Sequence, residues 1–426
     1  MSKRYNSYST VPNLLSGEAP SHWPLTRNRV LLRPKKDVVG SQANQYELLS
    51  LTTNGIIRRD IESGKGKFPK DFDTYQIIVP GDMVFCLFDI DETPRTVGLS
   101  TMEGMITGAY DAFSVSSRVE AGFMNYYYTA VDDIKALRPY YTGLRKVVKK
   151  DKFMQISFPV PPLEEQRKIV AYLNKKITLI ESLKCQRERE LQTLNELKQA
   201  EIASVVTRGL NPTVAMKDSE IPWIGKIPAH WDTMRISGLF KESDEKTTDE
   251  SGTLLSLSQY TGITLKSEAG KTGMFEAEST VGYKVVHPGQ FVMNIMLAWN
   301  GSYAVSDLEG IISPAYCVFD FRIDCNKKYY DYLLRTKAYS GAFKTQSRGI
   351  IDSRLRLYPY KFYAFRTLVP PIEEQNAIVD YIESKTTKID NMIESLKAEI
   401  ERLSEYKQRL ISDVVTGQIN VQDEII

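Results

Sequence analysis

Two stretches of the chain carry a hydrophobic repeat of about 3.5 residues, and each closes one half of the sequence. In residues 370–416 the apolar positions alternate at spacings of four and three, which is typical of the seam of a coiled-coil helix. The seam consists of Ile382, Thr386, Ile389, Ile393, Leu396, Ile400, Leu403, Lys407, Leu410 and Val414. This pattern predicts a long helix whose apolar stripe packs against another helix.

Residues 161–207 repeat this stretch at a constant offset of 209, with 20 of 47 positions identical. Both copies open with Pro-Pro, which suits a first helical turn because no amide donor is needed there. Both continue with Glu-Glu, which places negative charge at the positive end of the helix dipole. Four of the ten seam positions in the first copy are charged, so neither helix has enough apolar surface to stand alone. We therefore expect the two copies to pack on each other.

Shorter runs of β-branched and aromatic residues, broken by glycine, precede each long helix. The runs Tyr75–Val79 and Met83–Phe88 in the first half, and Gln290–Met296 and Ala315–Phe321 in the second, predict strands. Each half is therefore expected to contain an α/β domain that ends in a long helix.

A Pro-x-His-Trp motif marks the entry to each of these domains, with His22-Trp23 in the first half and His230-Trp231 in the second. A histidine can bind a metal, but the chain has only three histidines and no cysteine close to either motif in the sequence. We expect both histidines to be structural and both tryptophans to anchor each domain to the start of its sheet.

The repeat divides the chain into four predicted parts. These are a first α/β domain in residues 1–160, a long helix in 161–210, a linker with a second α/β domain in 211–369, and a C-terminal long helix in 370–426. The first 20 residues are polar and predict a loosely held arm, and Arg208–Pro228, with its glycines and prolines, predicts a linker. The counterpart of this linker is split between the two chain ends, so the ends are expected to lie near each other.

Composition is that of an ordinary globular protein, with 42% apolar and 25% charged residues. The formal net charge of +2 means that any nucleic-acid surface has to be a local patch. Four cysteines without metal-ligand spacing favour a reduced, cytoplasmic chain, and no apolar run is long enough to span a membrane. We therefore expect a cytoplasmic protein without a membrane partner.

Two motifs of nucleic-acid and nucleotide enzymes are incomplete in this sequence. Asn211-Pro-Thr-Val214 lacks the second proline and the aromatic residue of the methyltransferase tetrapeptide Asn/Asp-Pro-Pro-aromatic. Ala269-Gly-Lys-Thr272 resembles the end of a phosphate-binding loop, but Leu265 occupies the position where that loop needs its first glycine. We expect no catalytic residue, no metal site and no cofactor bound by this chain.

Basic residues cluster locally and lie among aromatic residues, a combination that suits phosphate contact and base reading. The basic candidates for DNA contact are Arg58, Lys65, Lys67, Arg145, Lys149, Lys266, Lys271, Arg348 and Arg354. Such runs are also typical of solvated surfaces, and their pairing in the two halves is what favours the nucleic-acid interpretation.

The doubled Pro-Pro-(Leu/Ile)-Glu-Glu-Gln helix ending in Val-Val-Thr, with a Pro-x-His-Trp start to each half, resembles the conserved regions of type I restriction-modification specificity subunits. The resemblance covers the whole chain. It implies two target-recognition domains, each reading one half of a split double-stranded DNA target, that alternate with two conserved helices. It further implies that the helices set the spacing and dock two methyltransferase subunits, which carry S-adenosylmethionine, while motor-nuclease subunits attach outside them.

On this resemblance the chain is expected to be non-catalytic. Its expected fold class is α+β, with two similar α/β target-recognition domains joined by two long antiparallel coiled-coil helices. The two halves form a pseudo-two-fold internal repeat. A two-fold axis that relates two domains on one duplex reverses any helix lying across it, hence the antiparallel expectation. Loop residues that follow matched anchors yet differ between the halves are further DNA candidates: Thr52, Thr53, Asn54, Ser258, Gln259 and Tyr260. The candidates for partner binding are Glu165, Gln166, Glu374 and Gln375.

Two alternatives remain open on the sequence. One is the specificity chain of another two-chain methyltransferase or endonuclease system, which differs only in its partners. The other is a coiled-coil adaptor whose globular domains bind proteins. A gel shift with genomic DNA, with and without a methyltransferase partner, discriminates the adaptor from both DNA-reading alternatives.

Overall fold

The computed structural model describes residues 4–12, 14–59, 72–268, 279–349 and 355–424. The chain forms two compact units, one comprising Met1–Glu188 with Ala398–Ile426 and the other Arg189–Lys397. Both division points fall inside a long helix, so each unit contains one α/β domain, the first part of one long helix and the last part of the other. The predicted four-part division, which treats each helix as a part of its own, stays a prediction.

The two longest helices match the two hydrophobic repeats of the sequence. In chain order the helices are α1 (Asn28–Leu31), α2 (Ala121–Asp133), α3 (Lys150–Gln155), α4 (Leu163–Arg208), α5 (Ile236–Leu239), α6 (Lys327–Leu334), α7 (Lys337–Gln346), α8 (Pro359–Phe362) and α9 (Ile372–Val415). Helix α4 has 46 residues and α9 has 44. Each is followed by a glycine with positive φ, Gly209 at +73° and Gly417 at +74°, in the left-handed conformation that commonly ends helices.

The α/β domain of the first unit is built on antiparallel strand pairs. Its strands are β1 (Tyr8–Thr10), β2 (Glu18–Pro20), β3 (Leu25–Arg27), β4 (Leu32–Pro34), β5 (Leu49–Thr52), β6 (Gly55–Arg58), β7 (Gln76–Ile78), β8 (Met83–Phe85), β9 (Val97–Leu99), β10 (Gly104–Ile106), β11 (Asp111–Val115) and β12 (Ser157–Pro159). A four-stranded sheet runs in the order β4-β11-β8-β9, and the remaining strands form the pairs β1-β2, β3-β12, β5-β6 and β7-β10. Phe85, Phe113, Tyr128 and Phe153 form an aromatic core beside this sheet.

The second unit repeats this arrangement strand for strand. Its strands are β13 (Met216–Asp218), β14 (Lys226–Pro228), β15 (Asp232–Arg235), β16 (Phe240–Ser243), β17 (Leu255–Ser258), β18 (Gly262–Leu265), β19 (Lys284–Val286), β20 (Phe291–Asn294), β21 (Tyr303–Val305), β22 (Gly310–Ile312), β23 (Tyr316–Phe321) and β24 (Arg366–Val369). The four-stranded sheet has the order β16-β23-β20-β21, and the pairs are β13-β14, β15-β24, β17-β18 and β19-β22. The internal repeat predicted from the sequence therefore extends through both sheets, and the predicted α+β fold class is confirmed.

The amino-terminal arm is more ordered than the sequence predicted. Strands β1 and β2 form a hairpin, and the Tyr8 hydroxyl donates a hydrogen bond to the carbonyl of Gly417 at 2.6 Å. The expectation of a loosely held arm is therefore wrong, because the carboxyl-terminal tail supplies partners for it. The expectation that the two chain ends lie near each other is confirmed. In the second unit the predicted linker forms the matching hairpin, β13-β14.

Within each unit the two long helices run antiparallel. In the first unit Glu181 pairs with Lys407 at 2.5 Å, and Arg187 pairs with Glu399 at 3.0 Å. As the residue number rises along α4, the number of the paired residue on α9 falls, so the two helices are antiparallel. In the second unit Lys198 pairs with Asp390 at 2.6 Å, and the Tyr381 hydroxyl donates to Glu201 at 2.6 Å.

A clamp of four side chains fastens each α/β domain to the first turn of its long helix. In the first unit Glu165 accepts a hydrogen bond from Trp23 Nε1 at 3.1 Å and is hydrogen-bonded to His22 Nε2 at 2.9 Å. Gln166 accepts a hydrogen bond from the backbone amide of Glu120, which precedes α2, at 2.6 Å. The Gln166 amide also donates to the carbonyl of Pro161 at 2.7 Å.

The second unit has the same clamp at the equivalent residues. Glu374 accepts from Trp231 Nε1 at 3.0 Å and is hydrogen-bonded to His230. Gln375 accepts from the backbone amide of Asn326, which precedes α6, at 2.9 Å and donates to the carbonyl of Pro370 at 2.8 Å. The tryptophans are therefore anchored to the long helices through their indole nitrogens, which corrects the expectation that they anchor the start of each sheet. The histidines have the structural role expected for them, although each has an acidic partner.

We predict that Glu165→Gln lowers the free energy of unfolding by about 1–3 kcal/mol. Glutamine keeps one acceptor oxygen and replaces the other by an NH2 group, so one of the hydrogen bonds to Trp23 and His22 is lost. The side chain of Glu165 is 9% exposed and that of Glu374 is 37% exposed, so Glu374→Gln should cost less. Denaturant unfolding of the full chain measures both effects. The matched control is Glu164→Gln, whose side chain is 81% exposed and should be near neutral. Equal losses in all three variants would contradict the clamp.

Candidate nucleic-acid interface

A hairpin tip in the first unit carries three of the predicted DNA-contacting residues. Strands β5 and β6 are joined by Thr53 and Asn54. Thr52 Oγ1 donates to the carbonyl of Gly55 at 2.9 Å and accepts from the amide of Asn54 at 3.1 Å. Gly55 has a φ of +89°, which residues with a side chain rarely adopt. The turn is therefore shaped by its own hydrogen bonds, and its outer side chains are not needed to close it.

The equivalent tip in the second unit lies between β17 and β18 and contains Ser258, Gln259 and Tyr260. Ser258 Oγ accepts from the amide of Tyr260 at 3.1 Å, and the Tyr260 side chain is 83% exposed. Arg335 holds the tip from behind, since its Nη2 donates to the carbonyl of Gln259 at 2.9 Å. The two tips thus share a position in the fold and differ in the side chains that they present.

Each tip adjoins a cleft formed with the long helices of its own unit. In the first unit Thr53 and Asn54 line one side of a cleft of about 370 Å³, and Lys184 and Lys407 lie among its helical residues. The hydrogen bond from Lys407, together with its charge, lowers the pKa of Glu181 at the same cleft, so that carboxylate stays ionised. The cleft is polar and carries both signs of charge.

The second unit has its cleft at the equivalent place, with a volume of about 730 Å³. Gln259 and Tyr260 line it, and Lys198 and Lys397 belong to its helical side. Lys198 and Lys407 are identical positions of the two helix copies. The structure therefore places each predicted base-contacting tip beside lysines of the long helices, an arrangement that the sequence alone did not indicate.

The basic segment of the first unit is largely paired with carboxylates. Arg145 Nη2 lies 2.9 Å from Asp89, which raises the pKa of this arginine. Lys146 lies 3.1 Å from Asp91. Burial opposes ionisation of Asp91, but its hydrogen bonds from Arg138, Lys146 and Tyr141 outweigh burial and lower its pKa. The run of cations that the sequence suggests is therefore partly neutralised.

Lys149 and Lys150 differ in whether a carboxylate pairs with them. Lys150 lies 2.5 Å from Asp111. The exposed Lys149 has no carboxylate within ion-pair distance among the described residues. Of the two predicted phosphate contacts in this segment, Lys149 is thus available as it stands, whereas Arg145 would have to share its charge with Asp89.

In the second unit the backbone of the predicted contact Arg348 is linked to that of an arginine that precedes two exposed aromatic rings in the sequence. The Arg348 backbone forms an antiparallel bridge with Arg356, with N–O distances of 3.0 and 2.9 Å. Tyr358 and Tyr360, which follow this bridge, stack with their centroids 6.1 Å apart and are 37% and 56% exposed. Exposed stacked rings near arginines are a surface suited to nucleic acid.

The remaining DNA candidates are less informative. Arg58 pairs with Glu47 at 2.7 Å, and Lys266 is exposed directly after β18. Four candidates lie outside the described residues: Lys65, Lys67, Lys271 and Arg354. The four predicted partner-binding residues are those of the two clamps, so the structure gives Glu165, Gln166, Glu374 and Gln375 intrachain partners; their role in binding another subunit stays a prediction.

Sequence reasoning missed Arg335 and Asp331, which position the second tip. Burial raises the pKa of Asp331, while Arg335 and a hydrogen bond from the amide of Val305 act in the opposite direction. Arg335 Nη1 lies 3.6 Å from Asp331. The two residues lie one helical turn apart at the end of α6, a spacing visible in the sequence but common on helices.

Within the described part of the chain no cluster of acidic, histidine or cysteine residues could hold a metal, and no helix is long and apolar enough to cross a membrane.

Comparisons with known proteins agree with this architecture. A family model described as "Type I restriction modification DNA specificity domain" matches residues 119–193. The Type I restriction enzyme MjaVIII specificity subunit of Methanocaldococcus jannaschii is 26% identical over 303 residues, a match that spans 66% of each protein. The putative type I restriction enzyme MjaX specificity subunit of the same organism is 20% identical over 451 aligned positions, covering 95% of this chain and 96% of the relative.

The fold has a counterpart among solved structures. A chain from a structure described as "Structural basis underlying complex assembly and conformational transition of the type I R-M system" superposes with a TM-score of 0.64. The two chains are 16% identical, and the match covers 94% of this chain and 99% of that chain. Family domain, curated relatives and fold thus agree: the chain is similar to type I restriction-modification specificity subunits in sequence and in architecture.

Proposed function

We propose that this chain is the non-catalytic DNA-reading subunit of a type I restriction-modification complex. Each α/β domain reads one half of a bipartite double-stranded target. The two long helices set the distance between the halves and dock two methyltransferase subunits, which supply S-adenosylmethionine, with motor-nuclease subunits joining through that complex. The observation that carries the proposal is a fold repeated strand for strand whose equivalent hairpin tips differ in sequence.

The differences between the tips are of the kind that two base-reading elements require. Thr53 and Asn54 in the first unit correspond in the fold to Gln259 and Tyr260 in the second. Amide and hydroxyl side chains hydrogen-bond base edges in the major groove, while an aromatic ring stacks on or packs against bases. Each domain can therefore read its own sequence on the same scaffold.

The central parts of the long helices support partner docking. In α4, described along its whole length, no residue between Ile180 and Val205 is buried, and in α9 none between Ile393 and Leu410 is buried. Leu197 is 53% exposed and Tyr406, its equivalent in the second copy, is 54% exposed. Two helices with half-exposed seams and apolar residues on their outer faces provide the surface onto which further helices pack.

The test of the function is methylome mapping of a strain that expresses the chain with its methyltransferase subunit. A split adenine-methylation motif is the expected result. Thr53→Ala and Asn54→Ala should relax one half of the motif, and Gln259→Ala and Tyr260→Ala the other, each base contact being worth about 1–3 kcal/mol. Lys149→Ala should weaken all sequences alike and lower the salt dependence of binding, as loss of one phosphate contact does. A first-unit substitution that relaxed both halves would refute the assignment of one domain to one half.

Spacing gives a separate test. Four residues inserted after Leu191 lengthen α4 by roughly 6 Å, or about two base pairs at ~3.4 Å per step. A four-residue insertion also disturbs the 3.5-residue seam, which absorbs part of the shift. The motif halves should therefore stay fixed while the unread gap grows by about one or two base pairs. The same four residues inserted after Pro212, in the segment between α4 and β13, are the control, and they should leave the gap unchanged. A fully active enzyme with an unchanged gap after the helix insertion would show that the helices do not measure the DNA.

Docking is tested on the exposed helix positions. Leu197→Glu and Tyr406→Glu place a charge where a partner helix would bury an apolar side chain, and we expect each to reduce co-purification of the methyltransferase subunit by about tenfold or more. The melting temperature of the isolated chain should not change, because both side chains are exposed in it. Gln186→Glu, at another exposed position of α4, is the matched control. Undiminished assembly in both leucine and tyrosine variants would exclude this face as the docking surface.

A further inference from the structure

An exposed turn in the first unit, residues 142–147, is not used by the function described so far. We call it the Leu144 finger. Thr142 and Val147 form an antiparallel bridge that closes it, with backbone N–O distances of 2.9 and 3.1 Å, and Leu144 at its tip is fully exposed. A single exposed leucine is ordinary on a protein surface. The surroundings of this one are what distinguish it.

The finger is braced from below by charged and aromatic contacts. The Asp89 carboxylate pairs with Arg145, the Asp89 amide donates to the Arg145 carbonyl at 3.0 Å, and the Arg145 guanidinium lies 5.4 Å from the centre of the Phe88 ring. On the other side Lys146 pairs with Asp91. Lys146 has a φ of +45°, a conformation that costs energy for a residue with a side chain and persists where its surroundings enforce it. The loop is thus held in one shape although the side chain at its tip is exposed.

A braced loop with an apolar tip followed by basic residues matches the way some DNA-binding proteins contact the minor groove. Such proteins insert an apolar side chain between two base pairs, unstack them partly and bend the duplex, while nearby cations contact phosphates. Bracing matters because a floppy loop would lose conformational entropy on insertion. Building on the proposed function, we propose that Leu144 is a wedge that enters the DNA next to the half-site read by the first domain.

The charges around the finger favour DNA over a protein as the occupant. Arg145 and Lys146 follow the tip, and Lys149 lies within the same segment with no carboxylate partner among the described residues. When the finger meets a duplex, phosphates can contact Lys149 while the paired carboxylates keep Arg145 and Lys146 in position. Gly349-Ile350, in the second half, is a similar glycine–aliphatic pair that follows Arg348 of the bridge with Arg356, but Ile350 lies outside the described residues and adds sequence evidence only.

The test uses the full chain with its methyltransferase subunits and a duplex that carries the motif found by methylome mapping. 2-Aminopurine replaces, in turn, single bases in and beside the first half-site, excluding the adenines that become methylated. The wild type should raise fluorescence at one step, which reports unstacking. Leu144→Ala should abolish this rise and weaken binding by about tenfold or more, because a buried leucine side chain is lost from the complex. The salt dependence of binding should stay the same, since no phosphate contact is removed.

Two further variants make the result specific. Leu144→Met keeps an apolar side chain of similar volume and should retain the fluorescence rise. Ile134→Ala is the matched control, because Ile134 is 62% exposed in the same unit but lies beside Asp132 and Asp133. An unchanged fluorescence profile in Leu144→Ala would overturn the proposal. So would a loss of methyltransferase binding with normal DNA binding, which would make the finger a protein contact. If the proposed function itself fails, the wild-type complex shows no sequence-dependent DNA binding, and this is measured before any variant is compared.

Discussion

A carboxylate in the first turn of each long helix is the group on which the rest of the architecture depends. Glu165 joins the entry motif of its domain to the helix through Trp23 and His22, and Gln166 beside it joins the helix to the segment that precedes α2. The carboxylate also lies in the first turn of the helix, at the positive end of the helix dipole, where negative charge stabilises the helix. Four side chains thereby fix the orientation of an entire α/β domain on a helix that carries little buried apolar surface beyond its ends.

The long helices and several strands could be predicted because their signals are local. The repeated stretch 161–207 predicted a long helix, and α4 spans Leu163–Arg208; the glycine-bounded apolar runs contain β7, β8, β20 and β23. What the sequence could not indicate depends on partners far along the chain. His22 and its carboxylate Glu165 are 143 residues apart, and Tyr8 and its acceptor Gly417 are 409 apart. An arm that looks unsupported in the sequence is held by a tail from the opposite end of the chain.

The candidate interface shows a different limit of sequence reasoning. Residue type and clustering identified Arg145 and Lys149 together, yet only the fold shows that Asp89 pairs with the first of them. A cation that is already paired gains less from a phosphate than a free cation does, but it is better ordered when it meets one. The chain has a net charge of only +2, so DNA affinity of this kind must come from few, well-placed cations and from apolar contacts rather than from a strongly positive surface.

The hydrogen bonds that hold each unit together are separate from the side chains proposed to read DNA. The clamps join entry motif to helix, and the hairpin turns close through Thr52 Oγ1, Ser258 Oγ and backbone groups. Substitutions at the outer tip residues therefore leave the clamps intact, so two domains with one fold can present different surfaces. In the middle of the long helices, by contrast, the seam residues stay half-exposed. Two helices alone leave their seams half-exposed there, and this is the surface that the proposed docking of a partner subunit would bury.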